Sequence, residues 1–145
     1  MTDGSTRPPA WYWIVAILAF LWEATGCYFY LMQVRMGPAE LAALPPAQAE
    51  AFASMATWQW AAFAVAVWVG LTGALGLLLR QRWASLAFWV SLIAAAVQYG
   101  YTFFATPILE RMPAGEALPL PITIIVLGLV FVWFAGFAAN KGWLR

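Results

Sequence analysis

Glu23 is the residue whose chemistry most needs an explanation, because it is an acidic side chain in the middle of a long apolar run. At about 1.5 Å per residue, it lies about 18 Å along a helix counted from Trp11, which is close to the midplane of a bilayer. A charged carboxylate at that depth costs at least ~2.5 kcal/mol. We therefore expect Glu23 to stay protonated, to find a hydrogen-bonding partner or to face a hydrated cavity.

A polar stripe in a later apolar run could supply that partner. Gln98 lies about 21 Å into its run, counted from Ala84, so this count places it roughly level with Glu23. A protonated Glu23 could donate to the Gln98 carbonyl and accept from the Gln98 amide or from Tyr101. The full stripe, at helical spacing, is Ser91, Ala94, Ala95, Gln98, Tyr101 and Thr102.

Small residues suit close helix packing around this polar set. The neighbours of Glu23 on its helix face are mostly small, which lets another helix approach. They are Ala16, Ala19, Phe20, Gly26, Cys27 and Tyr30. A second seam of small residues lies in the next apolar run and is interpreted as a helix-packing surface. It consists of Ala62, Ala66, Gly70, Gly73 and Gly76.

Two interpretations of the polar set remain open. In the first, Glu23, Gln98 and Tyr101 form a structural hydrogen-bonded clamp between helices, which contributes about 0.6–2 kcal/mol. In the second, Glu23 binds a proton or a cation near the midplane of the membrane. The residues predicted to line that proton or substrate site are Gln98, Tyr101, Tyr30 and Trp22.

The composition excludes several other chemistries. The chain has 145 residues with no histidine and one cysteine, so it offers no histidine-ligated haem or zinc site and no intrachain disulfide. The sequence shows no nucleophile–base pair and no cluster of metal ligands, so we predict no enzyme, no cofactor and no metal site. A net charge of +1 gives no basic field for nucleic acid. The lone cysteine, Cys27, is interpreted as a small packing residue.

Hydropathy identifies the elements that must position Glu23. Hydrophobic residues make up 65% of the chain and charged residues 9%, whereas water-soluble domains average about 45–50% and about 25%. Four apolar runs reach the length of about 20 residues that crosses a bilayer. They cover residues 11–34, 58–79, 83–105 and 121–139, and prolines mark their boundaries. The sequence therefore predicts an all-α membrane protein, a bundle of four transmembrane helices in a single integral membrane domain.

The distribution of basic residues predicts the orientation of that bundle. Of the seven Lys and Arg residues, five lie in the N-terminus, the short link at residues 80–82 and the C-terminus, and two lie in the longer loops. The positive-inside rule therefore places both termini in the cytoplasm. Tryptophans are expected at both membrane interfaces. The cytoplasmic set is Trp11, Trp13, Trp83 and Trp143, and the outer set is Trp58 and Trp60.

The two longer loops are similar to each other in sequence. Residues 35–45 and 111–121 both begin with Arg-Met and both contain a glutamate between prolines. One interpretation is a duplicated helix hairpin with a pseudo-two-fold axis along the membrane normal, and the other is chance similarity of common loop residues. In the first loop, Pro38 and Pro46 each predict the start of a short helix, and the second of these is expected to run towards the next span.

Three segments carry a resemblance to known proteins. They are residues 11–19 (WYWIVAILA), 40–45 (ELAALP) and 82–84 (RWA). With these, the chain resembles small four-helix inner-membrane proteins of proteobacteria, which are sometimes labelled sugar transporters. The resemblance implies a bacterial inner-membrane location and supplies no site residues. A midplane acid in the first of four spans also resembles the small multidrug resistance transporters. The long first loop and the absence of Trp-Ser-Gly in the third span depart from that family.

Two functions from different classes follow from these features. The first is a small-solute or proton-coupled transporter, expected to be a homo-oligomer because four helices make a thin wall around a transport path. The second is a non-catalytic accessory or assembly subunit of a larger membrane complex. The expected partners are the lipid bilayer and either further copies of this chain or a membrane-complex partner, with no nucleic acid.

Overall fold

The structure, a computed structural model, describes residues 7–145. The regular structure in this part of the chain is helical, and four of the helices are long and apolar enough to cross a membrane. This confirms the predicted all-α bundle of four membrane-spanning helices. In chain order the helices are α1 (Ala10–Val34), α2 (Pro38–Ala42), α3 (Pro46–Ala53), α4 (Thr57–Leu78), α5 (Trp83–Ala105), α6 (Ile108–Arg111), α7 (Ala114–Ala117) and α8 (Pro119–Asn140).

The long helices α1, α4, α5 and α8 begin and end within one or two residues of the predicted spans. Proline explains two of these boundaries, because it lacks an N–H group and fits the first turn of a helix. Pro9 directly precedes α1, and α8 begins at Pro119. The short helix expected at Pro38 forms as α2.

The helix expected at Pro46 forms as α3 but does not continue towards α4 as predicted. It ends at Ala53. The backbone N–H of Ala56, the residue just before α4, donates to Oε1 of Gln59 at 3.0 Å. A side chain in the first turn of α4 therefore caps the start of its own helix. This local bond starts α4 as a separate helix.

Glycines bring α4 and α5 into close contact. A Cβ atom on Gly76 would lie 2.9 Å from the Trp83 ring and 3.0 Å from Ala84 Cβ, and one on Gly73 would lie 3.2 Å from the Phe88 ring. The predicted small-residue seam of α4 is therefore a packing surface against α5. Helix α4 also packs against α1, and α5 also packs against α8, so the long helices follow the order α1–α4–α5–α8.

One end of the bundle holds the start of α1, the α4–α5 link and the last residues of the chain. We call it the termini end. The Arg145 N–H donates to Arg80 O at 2.7 Å, and the Arg82 N–H donates to Arg145 O at 2.9 Å. The rings of Trp11 and Trp143 are 5.4 Å apart between centroids. The opposite end, which carries α2, α3, α6 and α7, is the loop end.

The most tightly packed part of the core lies in the half of the bundle near the termini end. There the Tyr12 ring stacks on Phe134 and so joins α1 to α8. Towards the loop end, α1 and α8 expose large apolar side chains such as Phe29 and Val126, as expected for surfaces in contact with lipid. The core cluster comprises Tyr12, Ala16, Ala19, Ala74, Leu77, Ala84, Phe88, Leu92, Phe131, Val132, Phe134, Ala135, Ala138, Trp143 and Leu144.

One of the four tryptophans predicted to form the cytoplasmic set is not at a surface. Trp143 is only 7% exposed, and its ring packs against Trp11 and Phe137. The physical reason is the turn at Gly142, whose φ of 79° reverses the chain after α8 and folds Trp143 back under the bundle. Trp11 and Trp83 are exposed at the termini end.

The orientation of the bundle leads to the first testable prediction. We expect the termini end to lie in the cytoplasm, because it carries most of the basic residues. In a Cys27→Ala background, Ala42→Cys should react with an impermeant thiol reagent added to intact cells, and Gln81→Cys should react only after lysis. Reaction of Gln81→Cys in intact cells, with protection of Ala42→Cys, would show the opposite orientation.

Candidate functional site

Glu23 lies where α1, α4 and α5 meet. A Cβ atom on Gly70 of α4 would lie 2.7 Å from the carboxyl carbon of Glu23 and 2.9 Å from Oγ of Ser91 on α5, and it would also clash with Oε2 of Glu23. Any side chain at residue 70 would therefore overlap with both polar groups. The space that the Glu23 carboxyl occupies exists because residue 70 is glycine. We call Glu23, Gly70 and Ser91 the Glu23 layer.

The hydrogen bond made by Ser91 determines what this layer can bind. The Ser91 hydroxyl donates to the carbonyl oxygen of Ala66 at 2.5 Å. A hydroxyl has one proton, so Ser91 Oγ is left with acceptor capacity only. The four long helices contain no Lys or Arg. The layer thus offers an acceptor for a protonated Glu23 and no basic side chain to neutralise an ionised one.

The Glu23 layer lies near the middle of the spans. Gly70 and Ser91 are within about 5 Å of the centres of α4 and α5 along their axes, at about 1.5 Å per residue. The sequence prediction that Glu23 is deep in the membrane agrees with this position. The cost of an ionised acid at such a depth therefore applies to the folded protein.

Between the Glu23 layer and the loop end, α1 continues to pack along α4. The Cys27 thiol donates to the Val67 carbonyl oxygen at 3.3 Å, and Cys27 is buried, in line with its interpretation as a packing residue. One turn further, the Tyr30 ring packs edge-on against Phe63, with 5.1 Å between centroids. Tyr30 lies about 10 Å beyond Glu23 along α1, and its ring contacts are with Phe63 and Trp68.

Gln98 does not share the layer of Glu23. On α5, Ser91 bonds to Ala66, and Tyr101 packs against Trp58 with ring centroids 4.8 Å apart. Gln98 lies between Ser91 and Tyr101 on the same helix, so it meets α4 between residues 58 and 66. At about 1.5 Å per residue, Gln98 is about 10 Å nearer the loop end than Ser91.

The predicted hydrogen bond between Glu23 and Gln98 is therefore wrong. Gln98 is 9% exposed, and its Oε1 atom is buried with no hydrogen-bond partner among the described residues. The error comes from counting depth from the start of each helix. Glu23 is thirteen residues from the start of α1, whereas the contacting Gly70 is eight from the end of α4, so α1 extends about 8 Å further at the termini end.

The structure places the other two predicted lining residues in apolar or exposed surroundings. Trp22 is partly buried against the hydrophobic core, and Tyr101 is exposed beside Trp58. The structure leaves Glu23 as the candidate centre of the site. It adds Gly70 and Ser91, which the sequence placed in a packing seam and in the polar stripe without linking them to Glu23.

The described residues contain no group of three or more His, Cys, Asp or Glu side chains that could hold a metal ion. No protein family, curated protein or solved structure matches the chain. The fold and the site therefore define the protein by class. It is a small polytopic helical membrane protein with an acidic residue at the junction of three of its four spans.

Proposed function

We propose that the protein is a small-solute or proton-coupled transporter of a bacterial inner membrane, in which Glu23 binds the coupling proton or cation. The observation that carries this proposal is the position of the Glu23 carboxyl near the centres of α4 and α5, in the space left by Gly70. Acidic residues at that depth destabilise a membrane protein, and their usual use is in ion and proton pathways.

The contacts of the carboxyl group favour proton or cation binding over a structural clamp. The clamp predicted from the sequence would pair Glu23 with Gln98, whose amide group can both accept from and donate to the carboxyl group. The groups of α4 and α5 that meet at the position of the carboxyl group include Gly70, which has no side chain, and Ser91, whose proton is used by Ala66. Loss of the Glu23 proton would leave a carboxylate without a basic partner in the spans, which favours uptake of another proton or of a cation.

The test of this proposal is transport by reconstituted protein. Vesicles containing a pH-sensitive dye should show an internal pH change when one member of a panel of neutral sugars, small amines and small carboxylates is added outside. In Glu23→Gln, the amide keeps the shape of the side chain but does not ionise, so it cannot release and rebind a coupling proton and the solute-linked pH change should be lost. An unchanged response in Glu23→Gln would contradict the coupling role.

An accessory or assembly subunit is the second candidate function. It is favoured by the large apolar side chains that the outer faces of the long helices expose, such as Leu18 and Trp133, which a partner membrane protein could cover. Purification in a mild detergent separates the two proposals. A stable complex with a different membrane protein, together with no response to any solute in the panel, would support the subunit. A homo-oligomer alone would support the transporter.

A further inference from the structure

The interior of the bundle differs on the two sides of Glu23. Towards the termini end, a group of apolar, fully or almost fully buried side chains lies between Glu23 and the buried Tyr12. They come from all three helices that meet at Glu23, and they are Ala16 and Ala19 of α1, Ala74 and Leu77 of α4, and Phe88 of α5. The buried hydroxyl on this side belongs to Tyr12, and its proton is used by the Leu77 carbonyl oxygen. In this conformation, the apolar side chains separate Glu23 from that hydroxyl and from the termini end.

Towards the loop end, buried polar side chains follow the contact between α4 and α5. Apart from Tyr12 and Cys27, whose donors are used by backbone carbonyls, the buried polar side chains among the described residues are Ser91, Gln98 and Gln59. Ser91 belongs to the Glu23 layer, and Gln98 lies about 10 Å nearer the loop end on α5. Gln59 lies in the first turn of α4, where its oxygen accepts from the Ala56 N–H and its amide nitrogen is not used in that bond.

Gln98 is the unusual member of this series. Its Oε1 atom is buried and has no donor among the described residues, a state that normally destabilises a protein. A carbonyl oxygen can bind an O–H or N–H donor, and it can also ligate a small monovalent cation. Gln98 is therefore chemically suited to bind, for a short time, the same species that Glu23 binds.

We infer that Glu23 exchanges its proton or cation with the loop side of the membrane, along a polar route between α4 and α5 in which Gln98 is the intermediate binding group. The termini side is closed in this conformation. This inference rests on the proposed function for its purpose, since a transporter must open its binding site to one side at a time. The accessibility it describes is measured without any transported solute.

The experiment uses Ag⁺, a small monovalent cation that reacts with thiols, in chloride-free buffer. In a Cys27→Ala background, the protein carries Glu23→Cys, Tyr30→Cys or Ala16→Cys, three positions on one face of α1, with the last two equally far from Glu23. Leu18→Cys, which faces lipid, is the control for direct entry through the bilayer. Ag⁺ is added from the loop side of intact cells or from the termini side of inverted vesicles, and the remaining free thiol is measured.

We expect Glu23→Cys and Tyr30→Cys to react at least tenfold faster from the loop side than from the termini side, and Ala16→Cys and Leu18→Cys to resist from both sides. Adding Gln98→Leu should slow the loop-side reaction of Glu23→Cys at least tenfold. Adding Thr72→Val should not, because Thr72 is exposed and bonds only within α4.

Three results would overturn the route: equal or faster reaction of Glu23→Cys from the termini side, no reaction from the loop side, or no effect of Gln98→Leu. If Glu23→Cys does not fold, the comparison of Tyr30→Cys with Ala16→Cys gives the same decision. If the access pattern holds but Glu23→Gln keeps its solute-linked pH change, the route stands and the coupling role is wrong.

Discussion

Gly70→Ala is expected to displace the Glu23 carboxyl and to abolish any solute-linked pH change, while the protein remains folded. The added Cβ would lie 2.7 Å from the Glu23 carboxyl carbon and 2.9 Å from Ser91 Oγ, distances that no stable packing allows. The Glu23 side chain is flexible and can move away, so we expect overpacking to destabilise the protein by only about 1–3 kcal/mol. The effect on the site should therefore exceed the effect on the fold.

The measurement is a double-mutant cycle on the free energy of unfolding in detergent, together with the vesicle assay. Glu23→Ala removes the carboxyl group that the new Cβ would meet. In that background, Gly70→Ala should therefore lower the free energy of unfolding by a smaller amount. Gly136→Ala in α8 is the matched control. A Cβ there would meet nothing within 4 Å, so helix propensity should make it neutral or stabilising by up to about 1 kcal/mol. Equal effects of Gly70→Ala with and without Glu23 would contradict the packing of this layer.

The helices could be predicted from the sequence because their determinants are local. A run of apolar residues long enough to cross the bilayer defines each span without reference to the rest of the chain, and proline marks the start of α1 and of α8. For that reason the predicted and observed boundaries of α1, α4, α5 and α8 differ by only one or two residues. The end of α3 was missed because it depends on the cap that Gln59 provides to the next helix.

The site could be predicted only in part, because it depends on the axial offset between neighbouring helices. The sequence identified Glu23 as a deep acid, which requires only its distance from the start of one helix. Placing Gln98 beside Glu23 requires the relative register of α1 and α5. Counting the same number of residues from the start of each helix does not give that register, because α1 extends beyond α4 at the termini end. The register is set by contacts such as Glu23 with Gly70 and Tyr30 with Phe63, and no local pattern reports such pairs.

The position of Trp143 illustrates the same limit for the fold. Its sequence context, an aromatic residue beside basic residues after an apolar run, is typical of a membrane interface. The chain reversal at Gly142 and the backbone bonds between Arg145 and the α4–α5 link instead bury it under the bundle. The positive φ of Gly142 and these long-range backbone bonds together determine the position of Trp143, and composition reveals neither.

Tyr12→Ala is expected to produce the largest loss of stability of any single substitution considered. Tyr12 is 0% exposed, its ring stacks on Phe134, and its hydroxyl donates to the Leu77 carbonyl oxygen at 2.5 Å. Removing a buried aromatic ring costs about 3–5 kcal/mol. Tyr12→Phe keeps the ring and loses only the hydrogen bond, so it should cost about 0.5–1.5 kcal/mol. Both values are measurable by reversible unfolding in mixed detergent.

Trp133→Ala is the control for Tyr12→Ala, since it also removes an aromatic side chain but from a position that is 63% exposed. It should change the free energy of unfolding by no more than about 0.5 kcal/mol.

Loss of the Tyr12 ring should also open the interior that separates Glu23 from the termini end. In a Cys27→Ala/Glu23→Cys background, Tyr12→Ala should therefore permit Ag⁺ to react from the termini side, whereas Trp133→Ala should not. If Tyr12→Ala behaves like Trp133→Ala in both measurements, Tyr12 neither stabilises the bundle nor closes that side of it.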